Sequence, residues 1–305
     1  AYLAAAAFSA FFIIIFTRFT FKNTTERLEH HEEAPSLKEC LHLLATNRPL
    51  LMLFLGNIFF VIIKVSEQAS FYFAYDALFN AKYNGFLDIA KAPGSFLAGI
   101  FVPIIIERLG RKADSKKFYQ ACCVMGIVLN GLFALCTYNG IMNKGAGQSV
   151  SLLTGLMVIV FSAVVTFPLE FKNLMQKEME AETVDYVEWK TGKRVEGTML
   201  SIMSFTGKLE GTLSSFICLQ VLARTGYVEH TTDVSTLQNH STLLGLFLMT
   251  TVFPMVGYAL MLIPMHFYNI TGDSHRRMIK DIMARRAQAG EAAAQEAVAA
   301  EAKEG

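Results

Sequence analysis

Apolar residues along this chain gather into runs, and the runs are separated by short polar connections. Windows at 50–79, 87–107, 118–138, 149–171, 198–223 and 241–266 are each long enough to cross a hydrocarbon core as a helix, which takes about 20 residues. A seventh run, AYLAAAAFSAFFIIIF at 1–16, opens the chain. It has no basic leader and no small-residue cleavage site before the next segment, so it reads as the end of a span that begins ahead of residue 1 rather than as a signal peptide. The pattern predicts seven crossings. Between the first two, SLKECLHLLATNRP reads as a short helix lying along the membrane surface. Ser36 and Glu39 form a capping box, Leu37, Cys40, Leu41, Leu44 and Ala45 recur at helical spacing, and Pro49 ends the pattern. Beyond 266 the chain turns Ala- and Glu-rich, the composition of a frayed helix or a disordered tail.

Composition agrees with a membrane class, since 53% of residues are hydrophobic and only 17% charged. The net charge of +1 conceals an alternation. Lys and Arg number five in 17–48, one in 80–86, five in 108–117, one in 139–148, five in 172–197, one in 224–240 and six from 267 onward. Basic residues favour the cytoplasmic side, so this series predicts a plasma (inner) membrane protein with a cytoplasmic carboxyl end. It offers no basic surface for nucleic acid. Five cysteines form no CxxC pair and read as small packing residues.

Three lysines, Lys64, Lys91 and Lys208, fall inside spans, where a charge is expensive and marks a functional site by default. Lys208 lies about 15 Å into its span on a polar stripe with Ser201, Ser204, Gly211, Thr212 and Ser215, so one helix face is expected to border a wet cavity. The alternative is a structural ion pair with Glu67 or Glu210. On the span 50–79, Asn57, Lys64, Gln68, Tyr72 and Tyr75 form a second stripe, with Glu67 one turn from Lys64; these are candidate cavity-lining residues or, for Lys64 and Glu67, an intrahelical pair. Tyrosines suit a sugar, because the ring covers C–H patches while the hydroxyl hydrogen-bonds. Lys91 beside Asp88 reads as a snorkelling residue. No GxxxxGKS/T, HExxH or GxSxG motif occurs, and the adjacent His30 and His31 lack metal-ligand spacing, so no catalytic residue, metal site or cofactor is predicted.

The stretch ETVDYVEWKTGKRVEG at 182–197 packs charge between two apolar runs. Asp185 and Glu188 stand one turn apart on a helix that Gly192 stops. By composition alone a solvated loop is the default for such a segment. The run VDYVEWKTGKRVEG, followed by SFTGKLEG, resembles the signature of the melibiose-permease-like glycoside-pentoside-hexuronide:cation symporter family of the major facilitator superfamily; RLGRKADSKK is weakly similar to the superfamily loop pattern. The resemblance implies an all-α integral membrane fold of major facilitator type. Its parts would be the end of transmembrane helix six at 1–16, a cytoplasmic inter-half linker at 17–49, the complete six-helix second half at 50–266, and a cytoplasmic tail at 267–305. Seven transmembrane helices would be present and the amino-terminal half-bundle missing. It further implies symport of sugars or glycosides with Na⁺ or H⁺ by alternating access, in contact with membrane lipid. Lys208, with Ser204 and Thr212, would sit at the cation and sugar coupling site, and Glu182, Asp185, Glu188 and Arg194 would form a cytoplasmic gate. Glu210, an acid two residues after the lysine, departs from the family pattern. Two alternatives stand beside this expectation: an amphiphile (lysolipid-type) symporter of the same superfamily, and a non-transporting membrane sensor or scaffold.

Overall fold

A computed structural model describes residues 2–23, 36–79, 82–109, 114–144, 148–192, 195–229 and 237–304. Among them are nine α-helices. The chain divides into two units, Ala1–Pro35 and Ser36–Gly305. The first holds α1 (Tyr2–Asn23), an apolar helix that runs seven residues past the expected boundary at 16. The second holds everything that follows.

Helix α2 (Leu37–Thr46) begins as its sequence predicts: Ser36 Oγ accepts from the Glu39 N–H and the Glu39 carboxylate accepts from the Ser36 N–H. Its apolar face, Cys40, Leu43 and Leu44, packs on Leu50, Val184, Met199 and Ile202. Asn47 caps α3 (Arg48–Tyr72), and Pro49 sits in its first turn, where the missing N–H costs nothing. The last turn widens into a π-helical segment, Phe73–Ala77, carrying the buried Asp76; such bulges recur at functional sites. Then come α4 (Lys82–Leu109), α5 (Ser115–Met142), α6 (Leu152–Thr191), α7 (Glu196–Thr225), α8 (His240–Phe267) and α9 (Gly272–Glu304).

Six of the described helices are long and apolar enough to cross a membrane. The expected seventh, α7, is long enough at 30 residues, yet Lys208, Glu210 and its run of Gly, Ser and Thr dilute its apolar content, and it is not among the six. The same residues that single it out for chemistry weaken it as a span. Helix α3 packs mainly on α8 and α7, α5 on α6 and α8, and α4 on α6. Two apolar clusters fill the bundle, one around Phe73, Phe133, Leu246 and Met249 and the other around Tyr119, Met175, Tyr258 and Met265. Large apolar side chains such as Ile89, Phe96, Leu135 and Leu152 point outward, as suits a bundle solvated by lipid. In lipid the hydrophobic effect does not hold helices together, so close packing must. At the α4–α6 crossing Gly94 allows this: a Cβ there would lie 2.6 Å from the Ala163 carbonyl oxygen.

Two features differ from what composition alone suggests. Where composition favours a solvated loop, α6 continues unbroken to Thr191 and stops at Gly192, as the local sequence predicts, with a φ of 74° forming the left-handed cap. Its 40 residues span about 60 Å, twice what a hydrocarbon core needs. The tail, read from composition as a frayed helix or a disordered segment, is helical over Gly272–Glu304 and docks on α6. Both differences share a cause: Met175, Met179, Val187, Met278 and Ile282 are buried at helical spacing, so an apolar face persists beneath the charge.

Candidate functional site

Helix α7 buries Met199, Ile202, Thr206 and Glu210 at spacings of three and four residues, which turns that face toward α3 and α8. The stripe of Ser201, Ser204, Lys208 and Thr212 lies on the opposite side and is exposed. Lys208 makes no ion pair or side-chain hydrogen bond among the described residues; its carbonyl accepts from Thr212 Oγ1 at 3.0 Å. Ser201 Oγ donates to the Gly197 carbonyl at 2.9 Å. The pairing of Lys208 with Glu67 or Glu210, weighed as an alternative, does not form.

Glu210 pairs instead with Lys64 of α3, Nζ to Oε2 at 3.5 Å, with side chains 27% exposed for the lysine and 9% for the glutamate. Lys64 thus pairs with Glu210 and not with Glu67, the intrahelical pair weighed as an alternative from spacing. Within electrostatic reach of Glu210 lies a cation that sequence reading assigned to a loop: Lys172 is fully buried, its ammonium 3.8 Å from the Phe60 ring centroid and 5.8 Å from that of Tyr119, while Nζ donates to Gln176 Oε1 at 3.3 Å. A ring face attracts an ammonium and lowers the cost of burying it. The sign that could have found Lys172 was the unbroken spacing of Phe171, Met175 and Met179, which carries the helix through it.

The second predicted stripe is brought together only in part. Asn57 is buried and its Nδ2 lies 3.8 Å from Met203 Sδ. Tyr72 meets Tyr227 edge to face at 5.4 Å and packs on the core, and Tyr75 stacks on Phe71 at 6.0 Å. Gln68 is half-buried. Glu67 is exposed and borders a cavity of about 290 Å³ between α3, α4 and α6. Lys91 pairs with Asp88 at 3.0 Å, as its spacing predicts.

At the other end of α6, three of the predicted gate residues face partners that sequence reading missed. Glu182 is buried; Ser115 Oγ donates to it at 2.8 Å and the Tyr268 hydroxyl at 3.3 Å. Asp185 lies 2.9 Å from His275 Nε2, and Glu188 accepts from Arg286 Nε at 3.0 Å. The sole tryptophan, Trp189, donates from Nε1 to Asp281 Oδ2 at 3.0 Å, and its carbonyl accepts from Arg285 at 2.8 Å. His275, Met278, Ile282 and Arg286 recur at three and four residues, so α9 lays one face along α6. The hydrogen bond to Asp185, with Glu182 and Glu178 nearby, raises the pKa of His275 above its ordinary 6.5 against the opposing effect of burial. Arg194 lies outside the described residues.

Among the described residues no cluster of His, Cys, Asp and Glu is arranged to hold a metal ion. The bundle thus exposes a polar stripe on α7 and holds Lys64, Glu210 and Lys172 between its helices. The profile of the MFS/sugar transport protein family matches residues 1–272. The chain belongs to that family. Members of the MFS/sugar transport protein family move solutes rather than transform them, so this is a multi-pass, all-α integral membrane protein of a transporter family, not an enzyme family. It is 25% identical over 267 residues to the uncharacterized symporter YjmB of Bacillus subtilis, covering 86% of this chain and 53% of the relative. It is 24% identical over 264 residues to the glucuronide carrier protein homolog of Escherichia coli, covering 86% and 53%. To the isoprimeverose transporter of Lactiplantibacillus pentosus it is 24% identical over 289 residues, covering 94% and 54%. The chain thus spans about half the length of the curated relatives it matches.

Proposed function

We propose that this chain is the second half of a cation-coupled sugar or glycoside symporter of melibiose-permease type, working by alternating access against a partner half-bundle of six helices. The observation that carries this is the placement of Lys208: an ammonium about 18 Å into its helix, exposed with Ser201, Ser204 and Thr212 on the face turned away from α3 and α8. An ammonium at that depth is stable only beside water or an anion, and a partner half carrying carboxylates at the coupling-cation site supplies both. Relatives described as a symporter, a glucuronide carrier homolog and an isoprimeverose transporter favour a saccharide cargo. Sodium and protons are the two candidate couplers.

The ends of the helices that carry α9 face the cytoplasm in this reading, following the basic connections. There Glu182, Asp185 and Glu188, with Arg194, act as the cytoplasmic gate. Glu182 is buried, whereas the Asp185–His275 and Glu188–Arg286 pairs are partly exposed; exposed pairs contribute only about 0 to 1 kcal/mol each, so a few weak contacts hold the closed state while leaving it able to open. In the complete two-half protein in vesicles, Lys208→Ala is expected to abolish accumulation driven by a sodium or proton gradient while membrane insertion is retained. Accumulation at the ratio of the unsubstituted protein would refute the assignment.

A further inference from the structure

We propose that the cavity between α3, α4 and α6 is a sugar subsite within this half-bundle, and that its charge selects neutral glycosyl units over uronates and sulfonated sugars. This rests on the glycoside-transport reading above and adds to it a place and a substrate class. The cavity holds about 290 Å³, the lower end of ligand-sized pockets. That is room for one saccharide ring and not for an extended oligosaccharide.

Its wall joins two kinds of surface. Phe133 and its apolar neighbours offer a face for the C–H side of a ring, and Glu67, Glu170, Ser70 and Ser162 present oxygens that accept from sugar hydroxyls. The carboxylates are not committed elsewhere. Glu67 makes no ion pair or hydrogen bond among the described residues, and Glu170 accepts only from Asn173 Nδ2, at 3.4 Å. A carboxylate accepts two hydroxyls at once, and bonds to a charged acceptor are about twice as strong as neutral ones. The one cation in the wall, Lys91, is held by Asp88 at 3.0 Å. In the wall two carboxylates therefore stand against one ammonium that Asp88 already holds, while the buried Lys172, within electrostatic reach of Glu170, is not part of the wall; an anionic sugar would meet like charge with no free cation in the lining to receive it. A neutral polyol meets acceptors it can satisfy. None of these groups belongs to the Lys208 stripe, which lies on the far face of α7.

The test uses the complete two-half protein in vesicles and counterflow exchange, which needs no coupling gradient, with neutral glycosides and the matching glucuronides as probes. Neutral glycosides are expected to exchange, and glucuronides to compete at least tenfold more weakly. Glu67→Gln with Glu170→Gln is expected to raise the half-saturating concentration of the neutral glycoside at least tenfold and to narrow its advantage over the glucuronide. Ser162→Leu, which narrows the cavity and leaves both carboxylates in place, is expected to weaken exchange of all sugars alike; each variant is checked for an unchanged melting temperature. Should the carboxamide variants fail that check, Ser162→Leu decides: exchange at the unsubstituted level overturns the proposal. Glucuronides that exchange as well as neutral glycosides overturn it too, as do carboxamide variants that fold and keep the original affinity and preference. A protein that exchanges no saccharide at all refutes instead the symport reading on which this one rests.

Discussion

The Lys64–Glu210 pair allows a quantitative prediction. It joins α3 to α7 across 3.5 Å, with the glutamate side chain 9% exposed and the lysine 27%. Coulomb's law at that distance and an effective dielectric of 20 gives about 5 kcal/mol. Partial exposure of the lysine and the length of the contact cut this by about half, so the coupling between the two is expected near ~2 kcal/mol. The single substitutions should differ. Glu210→Met strips the anion from Lys64 and from the fully buried Lys172, which is within its electrostatic reach, and is expected to cost ~3 kcal/mol, in line with breaking a buried pair by removing one partner. Lys64→Met leaves Glu210 facing Lys172 and should cost less, ~1.5 kcal/mol. The double variant is then expected to be less destabilised than Glu210→Met alone, because no unpaired anion or α3 cation remains. Unfolding of the purified protein in detergent, followed by melting temperature or by SDS titration, measures all four corners of the cycle. Additivity of the two single changes to within ~0.5 kcal/mol would show that the pair is an incidental neighbour contact and refute the reasoning.

Other expectations follow from local geometry. His275 has a raised pKa from its bond to Asp185 and the nearby Glu182 and Glu178, so the protonated pair holds α9 fully below about pH 6.5 and the contribution is lost as pH climbs through the raised value. Trp189, the chain's only tryptophan, bonds α9 through Asp281; its emission should shift to longer wavelength as pH rises, and His275→Ala should remove that dependence, whereas an unaltered titration would count against the contact. Gly94→Ala should destabilise the α4–α6 crossing by ~2 kcal/mol, an overpacking cost, since the added carbon would lie 2.6 Å from a backbone oxygen that cannot rotate away; a melting temperature equal to that of the unsubstituted protein would contradict this.

The helical class, most of the spans and several helix ends were legible in the chain itself. Apolar runs mark the helices because a backbone in hydrocarbon must satisfy its own hydrogen bonds, and the Ser36–Glu39 box and the Gly192 stop are chemistry between residues near in sequence. The α7 stripe was legible for the same reason: five polar residues at helical spacing define a face without knowledge of any neighbour. That Glu210 turns the other way to meet Lys64 was not, since Glu210 and Lys64 are 146 positions apart.

Lys172 and α9 show most clearly where local reading ends. A lysine after a span and a charged carboxyl-terminal segment carry the composition of solvated chain, and charge counting treats them so. Tertiary structure decided otherwise, by setting the Phe60 ring against one ammonium and laying Met278 and Ile282 of α9 along the protruding end of α6. The sequence by itself determined which segments are helices and which faces are polar, because those depend on spacing along one strand of chain. Which charge meets which depends on helices that approach only after packing, and that the three-dimensional arrangement alone decided.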